Sequence, residues 1–155
     1  MTPEQLKTNM RVAIQQCVLA MERRQGPFGA AIFDGQGELV AADHNRVQQQ
    51  RDPSAHGEVV TIRKACEKLR VHSLPRDFWL FTTGEPCPMC AATIVFTGLG
   101  HVVFGANIAM IRGVGFTELQ RPSSDLFQHA SKPPQVIGGV LAEECNSLLQ
   151  RAARG

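Results

Sequence analysis

What this chain has little of sets its limits before any motif is read. There is no dense Lys/Arg run: 16 basic and 14 acidic residues nearly cancel, to a net charge of +2 and an isoelectric point near 8.4. A protein dedicated to nucleic acid usually carries a basic stripe, so RNA or DNA is a partner that composition does not advertise. No run of about 18 apolar residues occurs, and nothing is expected to cross a membrane as a helix. The opening Met1-Thr2-Pro3-Glu4-Gln5 lacks the charged and then apolar segments of a secretory signal. Internal repeats and low-complexity tracts are absent too. So is an even set of cysteines: there are five, two of them in a Cys-x-x-Cys pair. Reduced thiols in a cytoplasmic protein fit that count better than a disulfide framework.

What is present reads as one domain over residues 1–155. That length buries roughly two-thirds of the unfolded surface without disulfides or oligomerisation. With 43% hydrophobic and 19% charged residues, the surface is slightly apolar, a weak pointer to an oligomer interface. Leu6, Met10, Ala13, Ile14, Cys17, Val18 and Met21 recur at helical spacing and predict a helix over about 3–24. Ala30–Phe33 and Glu38–Ala42 flank Asp34-Gly35-Gln36-Gly37, a hairpin signal. A polar loop, 48–53, follows. Further helices are expected over about 56–69, 87–97 and 141–153, and strands over 78–83, 101–105 and 135–139. The stretch 106–134 gives only loop signals and a helical turn near 124–129. Strands alternating with helices after a hairpin indicate an α/β domain with a mixed sheet of about five strands.

Two stretches carry the chemistry. Gly84-Glu85-Pro86-Cys87-Pro88-Met89-Cys90 supplies two thiols at i and i+3, on one face of a helical first turn. Ser54-Ala55-His56-Gly57-Glu58 supplies an imidazole and, two residues on, a carboxylate. One His and two Cys make three zinc ligands and leave the fourth tetrahedral position open for water. Zinc there would bring the water's pKa toward neutrality, and Glu58 would carry its proton. Both ligand groups fall at helix N-termini, where the partial positive charge favours thiolates. The bland alternatives are a closed structural site or a redox dithiol. A closed site needs a fourth ligand: Cys66 would point elsewhere along its helix, whereas His101 stays open as a candidate. A redox pair has no use for His-x-Glu.

His-x-Glu followed by Pro-Cys-x-x-Cys is the zinc deaminase signature. The chain therefore resembles the cytidine deaminase-like superfamily, over nearly all its length. Gly26-Pro27-Phe28-Gly29-Ala30, Asn45, Asp52-Pro53 and His101-Val102-Val103-Phe104-Gly105-Ala106 are similar to the branch holding bacterial guanine deaminase, yeast-type cytosine deaminase and tRNA adenosine deaminases. The resemblance implies a three-layer α/β/α sandwich, a homodimer, Zn2+ on His56, Cys87 and Cys90, and Glu58 as proton shuttle. It also implies substrate contacts from Asn45, Phe28, Phe96 and Ala55.

Departures bear on substrate. Gly57 stands where most of this branch has Ala. Phe96 stands where the guanine enzyme has Trp and the tRNA enzymes His. Two guanine-type acidic contacts are missing, near Thr117 (with Glu118 a stand-in) and near Gly138, and the loop between Ile108 and Pro134, expected to choose the substrate, departs from the patterns of the branch. A C-terminal Tyr that closes the guanine enzyme's site has no counterpart, since the chain contains no tyrosine. The resemblance thus implies a hydrolase acting on guanine, a related aminopurine or aminotriazine, or cytosine. An activated water would attack the amino-bearing ring carbon with release of ammonia. A tRNA adenosine deaminase is the less favoured alternative, and a non-catalytic zinc protein the least.

Overall fold

The computed structural model describes every residue except Thr117, Glu118 and Gln120. The expectation placed on Thr117 and Glu118 therefore lies outside the described residues. Helix α1 spans Pro3–Glu22, opened by a capping box between Thr2 and Gln5. Strands β1 (Gly29–Phe33) and β2 (Leu39–His44) form the expected hairpin. Its turn closes on the Asp34 carboxylate, which accepts from the Gln36 and Glu38 amides, and on Gly37 at φ +87°. Helix α2 (Val47–Gln50) comes next, then α3 (Gly57–Leu69), β3 (Trp79–Gly84), α4 (Pro88–Thr97) and β4 (His101–Ala106). The chain ends with α5 (Ile108–Gly113), α6 (Ser123–Phe127), β5 (Gln135–Gly138) and α7 (Ala142–Arg154).

The sheet order is β2-β1-β3-β4-β5. β1 runs antiparallel to β2 and β3, whereas β3, β4 and β5 are parallel. The mixed five-stranded sheet is as expected. Neighbours along a strand face opposite ways, and here they feed two separate cores. Ile32, Leu80 and Val102 pack with Ile62 of α3, Ile94 of α4 and Phe127 of α6. Ala31, Phe81 and Val103 pack with Met10 of α1 and Cys145 and Leu149 of α7. These are the three layers. Gly29 allows α1 to lie close, because a Cβ there would strike the backbone of Ala13 and Cys17.

Three expectations need correcting. β2 continues through Asp43 and His44 because both pair with β1 at Ala30 and Gly29. The polar stretch expected as a loop contains α2, a single turn without periodic apolar residues to betray it. The segment after β4 contains α5, whose N-cap Asn107 accepts from the Met110 amide at 2.9 Å. Among the described residues, no helix is long and apolar enough to cross a membrane.

Candidate active site

The site lies where β3 and β4 end and where α3 and α4 begin. His56 is the N-cap of α3 and Cys87 the N-cap of α4, both with extended backbone. Neither side chain caps its helix, and the two turn toward each other instead. Pro88 occupies the first turn of α4, where its missing N–H costs nothing. Ahead of α3 the loop is tied down: the Asp52 carboxylate accepts from the Ser54 amide at 2.9 Å and hydroxyl at 2.6 Å.

The His56 Nδ1 lies 3.6 Å from the Sγ of Cys87 and 3.6 Å from that of Cys90. All three donor atoms fall within 4.8 Å of one another. Bonds of about 2.0–2.1 Å to nitrogen and 2.3 Å to sulfur, meeting at a tetrahedral angle, set N and S about 3.6 Å apart. The residues present fit zinc. His101, the open candidate for a fourth ligand, is at the opposite end of the sheet, stacked on Trp79 with centroids 4.0 Å apart. Cys66 packs against the α3 side of the core. Among the described residues the ligand set stays at three and leaves a coordination position open.

The two thiols behave as one acid. Cys87 is brought down to about 4, chiefly by the hydrogen bond from Cys90 and then by His56, against burial. Cys90 moves up for the reciprocal reason, with its own burial and Glu58 adding. Glu58, 5% exposed in the first turn of α3, is pushed up first by burial and then by the Cys87 charge, with His56 opposing.

A cavity of about 390 Å³ opens beside these groups. His56, Cys87 and Glu58 line one part of it, together with the expected Phe28 and Asn45. The Asn45 Oδ1 accepts from the Val47 amide at 3.1 Å, which leaves its amide nitrogen as the donor to the cavity. Buried His44 fixes the backbone behind it: Nε2 lies 3.0 Å from an Arg23 guanidinium nitrogen and Nδ1 2.7 Å from the Asn45 carbonyl. A guanidinium only donates, so Nε2 accepts and the Nδ1–H donates to Asn45. Burial lowers the His44 pKa and keeps it neutral in that role.

Two expected contacts are not at the cavity. Phe96 is 83% exposed on the outer face of α4, because the inner face is taken by Ile94 in the core. Ala55 is fully buried, its carbonyl accepting from the Arg46 amide at 2.9 Å. Sequence reasoning missed Gln48 of α2 and Glu85 as walls, and named no single residue in the 108–134 loop, which supplies Ile108 and Ile111 of α5 and Phe116 and Leu119 beyond it. Phe116 meets Phe28 edge-to-face, with centroids 5.5 Å apart. The apolar spacing of Ile108 and Ile111 behind the cap-forming Asn107 was the available signal. Gly57 places its absent Cβ 3.3 Å from the Phe28 carbonyl and 3.4 Å from the Asn45 amide. An Ala methyl fits there with slight adjustment; a larger side chain would displace the backbone that carries both contacts.

Residues 3–106 match the family model of the cytidine and deoxycytidylate deaminase zinc-binding region. The chain is 34% identical to the tRNA-specific adenosine deaminase of Bacillus subtilis over 140 residues, covering 90% of this chain and 83% of that one. It is 36% identical to the guanine deaminase of the same organism over 110 residues, or 71% and 66% of the two chains. The guanine deaminase structure from Nitrosomonas europaea superposes with a TM-score of 0.87 at 28% identity, covering 96% of this chain and 85% of that one. With the matching ligands at zinc-binding distances and Glu58 beside them, the chain belongs to the cytidine and deoxycytidylate deaminase zinc-binding family.

Proposed function

We propose that the protein hydrolytically deaminates a free nucleobase or nucleoside-like amino-heterocycle: guanine, a related aminopurine or aminotriazine, or cytosine. The observation that carries this reading is the cavity. Its volume of about 390 Å³ lies in the range of small-molecule sites, and its walls are mainly apolar with a few polar groups placed to orient a ring. Zinc held by His56, Cys87 and Cys90 would supply the Lewis acidity that makes water nucleophilic near neutral pH. Glu58 carries one water proton to the ring nitrogen next to the attacked carbon, then takes the second from the hydroxyl now on that carbon and gives it to the departing amine, so that ammonia leaves and a carbonyl remains. Asn45 donates to a ring nitrogen or carbonyl oxygen on the same ring. Phe28 and Phe116, in contact with each other, form one apolar wall beside the ring. A homodimer in the cytoplasm goes with this reading.

The kinship with the tRNA enzyme favours a second reading, deamination of an adenosine in tRNA. That activity calls for cations available to phosphates. Of the arginines close in sequence to the cavity residues Gln48 and Pro53 or along α3, Arg51 is exposed and two are engaged by their own neighbours. Arg46 bonds to Asp43 and Gln49, and Arg63 to Asp52 and Ser54. A protein that only binds zinc would have no use for Glu58 buried against the ligands. The test is ammonia release by zinc-loaded protein from guanine, cytosine, adenine, their nucleosides and tRNA, with Glu58→Ala as control. Release from a free base is the expected result. Turnover of tRNA alone, with salt-sensitive binding to an anticodon stem-loop, establishes the second reading. Silence across the whole panel would sink both.

A further inference from the structure

Glu85 stands two residues before Cys87, and the proton shuttle does not use it. Its carboxylate nevertheless spends both oxygens. Oε1 accepts from the Ile108 amide at 2.9 Å, while Oε2 accepts from the Ser123 amide at 2.8 Å and the Ser123 hydroxyl at 2.9 Å. Its own amide donates to the Ala106 carbonyl at 2.7 Å. Ile108 and Ser123 are the first residues of α5 and α6, so two helix starts, with their unpaired N–H groups, converge on one carboxylate. Ser123 is 3% exposed, and Glu85 itself is half-buried at the cavity wall.

Between those two points lies the segment that supplies much of the cavity's apolar wall: Ile108, Ile111, Phe116 and Leu119. We propose that Glu85 is a positioning residue for substrate selection, clasping the starts of α5 and α6 to the metal-binding turn so that Ile108, Ile111 and Phe116 are held as the apolar wall against the ring. The proposal rests on the small-substrate reading above and assigns the selection to that segment. Charge-assisted bonds to backbone N–H groups are among the stronger ones available to a side chain. A carboxylate also satisfies all three donors at once, whereas an amide in its place would turn an NH2 toward an N–H. The clasp therefore acts on how tightly the ring is held and leaves proton transfer by Glu58 untouched.

The experiment compares wild type with Glu85→Gln and the milder Ser123→Ala, both zinc-loaded. For Glu85→Gln, KM for the best base in the panel is expected to rise about tenfold with kcat within about threefold, the loss of roughly one charge-assisted bond. Zinc content should match wild type, and trypsin should cut after Arg112 faster in native conditions. Ser123→Ala, which keeps the backbone donor, should move KM and cleavage in the same direction by less. A fall in kcat at constant KM, loss of zinc, or cleavage at the wild-type rate would overturn the clasp. Zinc content and proteolysis need no substrate, so they read the clasp even if no base is turned over. If Glu85→Gln fails to fold, Ser123→Ala carries the test alone: unchanged KM and cleavage refute the proposal.

Discussion

At the scale of single residues, the chemistry depends on where one carboxylate sits. Glu58 is buried, lines the cavity and is pushed up by that burial. Glu58→Gln keeps the shape and removes the proposed proton acceptor. Ammonia release is expected to fall about 10²–10⁴-fold while zinc, measured by mass spectrometry of the metal, stays bound. Loss of zinc instead would mean that Glu58 serves the ligands. Gly84 is the quieter case. A Cβ there would lie 3.0 Å from the Phe28 ring and 3.1 Å from the Ile111 methyl. Gly84→Ala should press both into the cavity, raise KM more than it lowers kcat, and cost about 1–3 kcal/mol in a denaturation series. The ligands and Glu58 were legible in sequence because a metal site needs fixed residue types at short spacings. Glu85 was not. A carboxylate holding two segments 23 and 38 residues away leaves no local pattern.

Among the elements, the β2 end shows what a pattern-based reading overlooks. Asp43, 5% exposed, accepts from the His44 amide, the Arg46 guanidinium at 2.8 Å and Lys64 of α3 at 3.5 Å. Burial acts to raise its carboxyl, but the His44 amide, Arg46 and Lys64 outweigh it and hold the group below the ordinary value. A lowered native pKa stabilises the fold fully above the unfolded value of about 3.9, and that contribution drains away as pH falls through the native one. Urea unfolding of Asp43→Asn is expected to cost about 2 kcal/mol at pH 7 and to flatten the loss of stability below about pH 4. An unchanged acid slope would show that other carboxylates govern it. The long elements were predictable from periodicity; α2 and α5, four and six residues long, were not, since neither offers enough turns to establish a repeat.

For the molecule as a whole, α4 poses the open question. Its buried side feeds the core through Ala91 and Ile94, yet Phe96 stands 83% exposed on the other side. The homodimer expected from the resemblance would cover it, and Phe96→Asp is then expected to shift the assembly toward monomer with zinc content unchanged. Light scattering over a concentration series measures this; a wild-type monomer throughout would remove the expectation. Phe96 also separates surface from site: an aromatic at a family's substrate position gives its place along a helix, while the side chain's direction follows from which face the sheet occupies.

The sequence by itself determined the candidate zinc ligands, the carboxylate beside them, the alternating layers and the hairpin. These follow from side-chain chemistry, from periods of two and 3.6 residues, and from turn residues acting over a few positions. Only the tertiary structure decided the cavity. Its walls come from β1, α2, α3, the turn after β3, α5 and the residues beyond it, brought together because β1 and β4 flank β3 in the sheet. It placed His101 at the far end of that sheet and Phe96 outside the cavity, and it closed Glu85 onto Ile108 and Ser123. Contacts between segments distant in the chain are set by sheet order and layer packing, which no short stretch of sequence encodes.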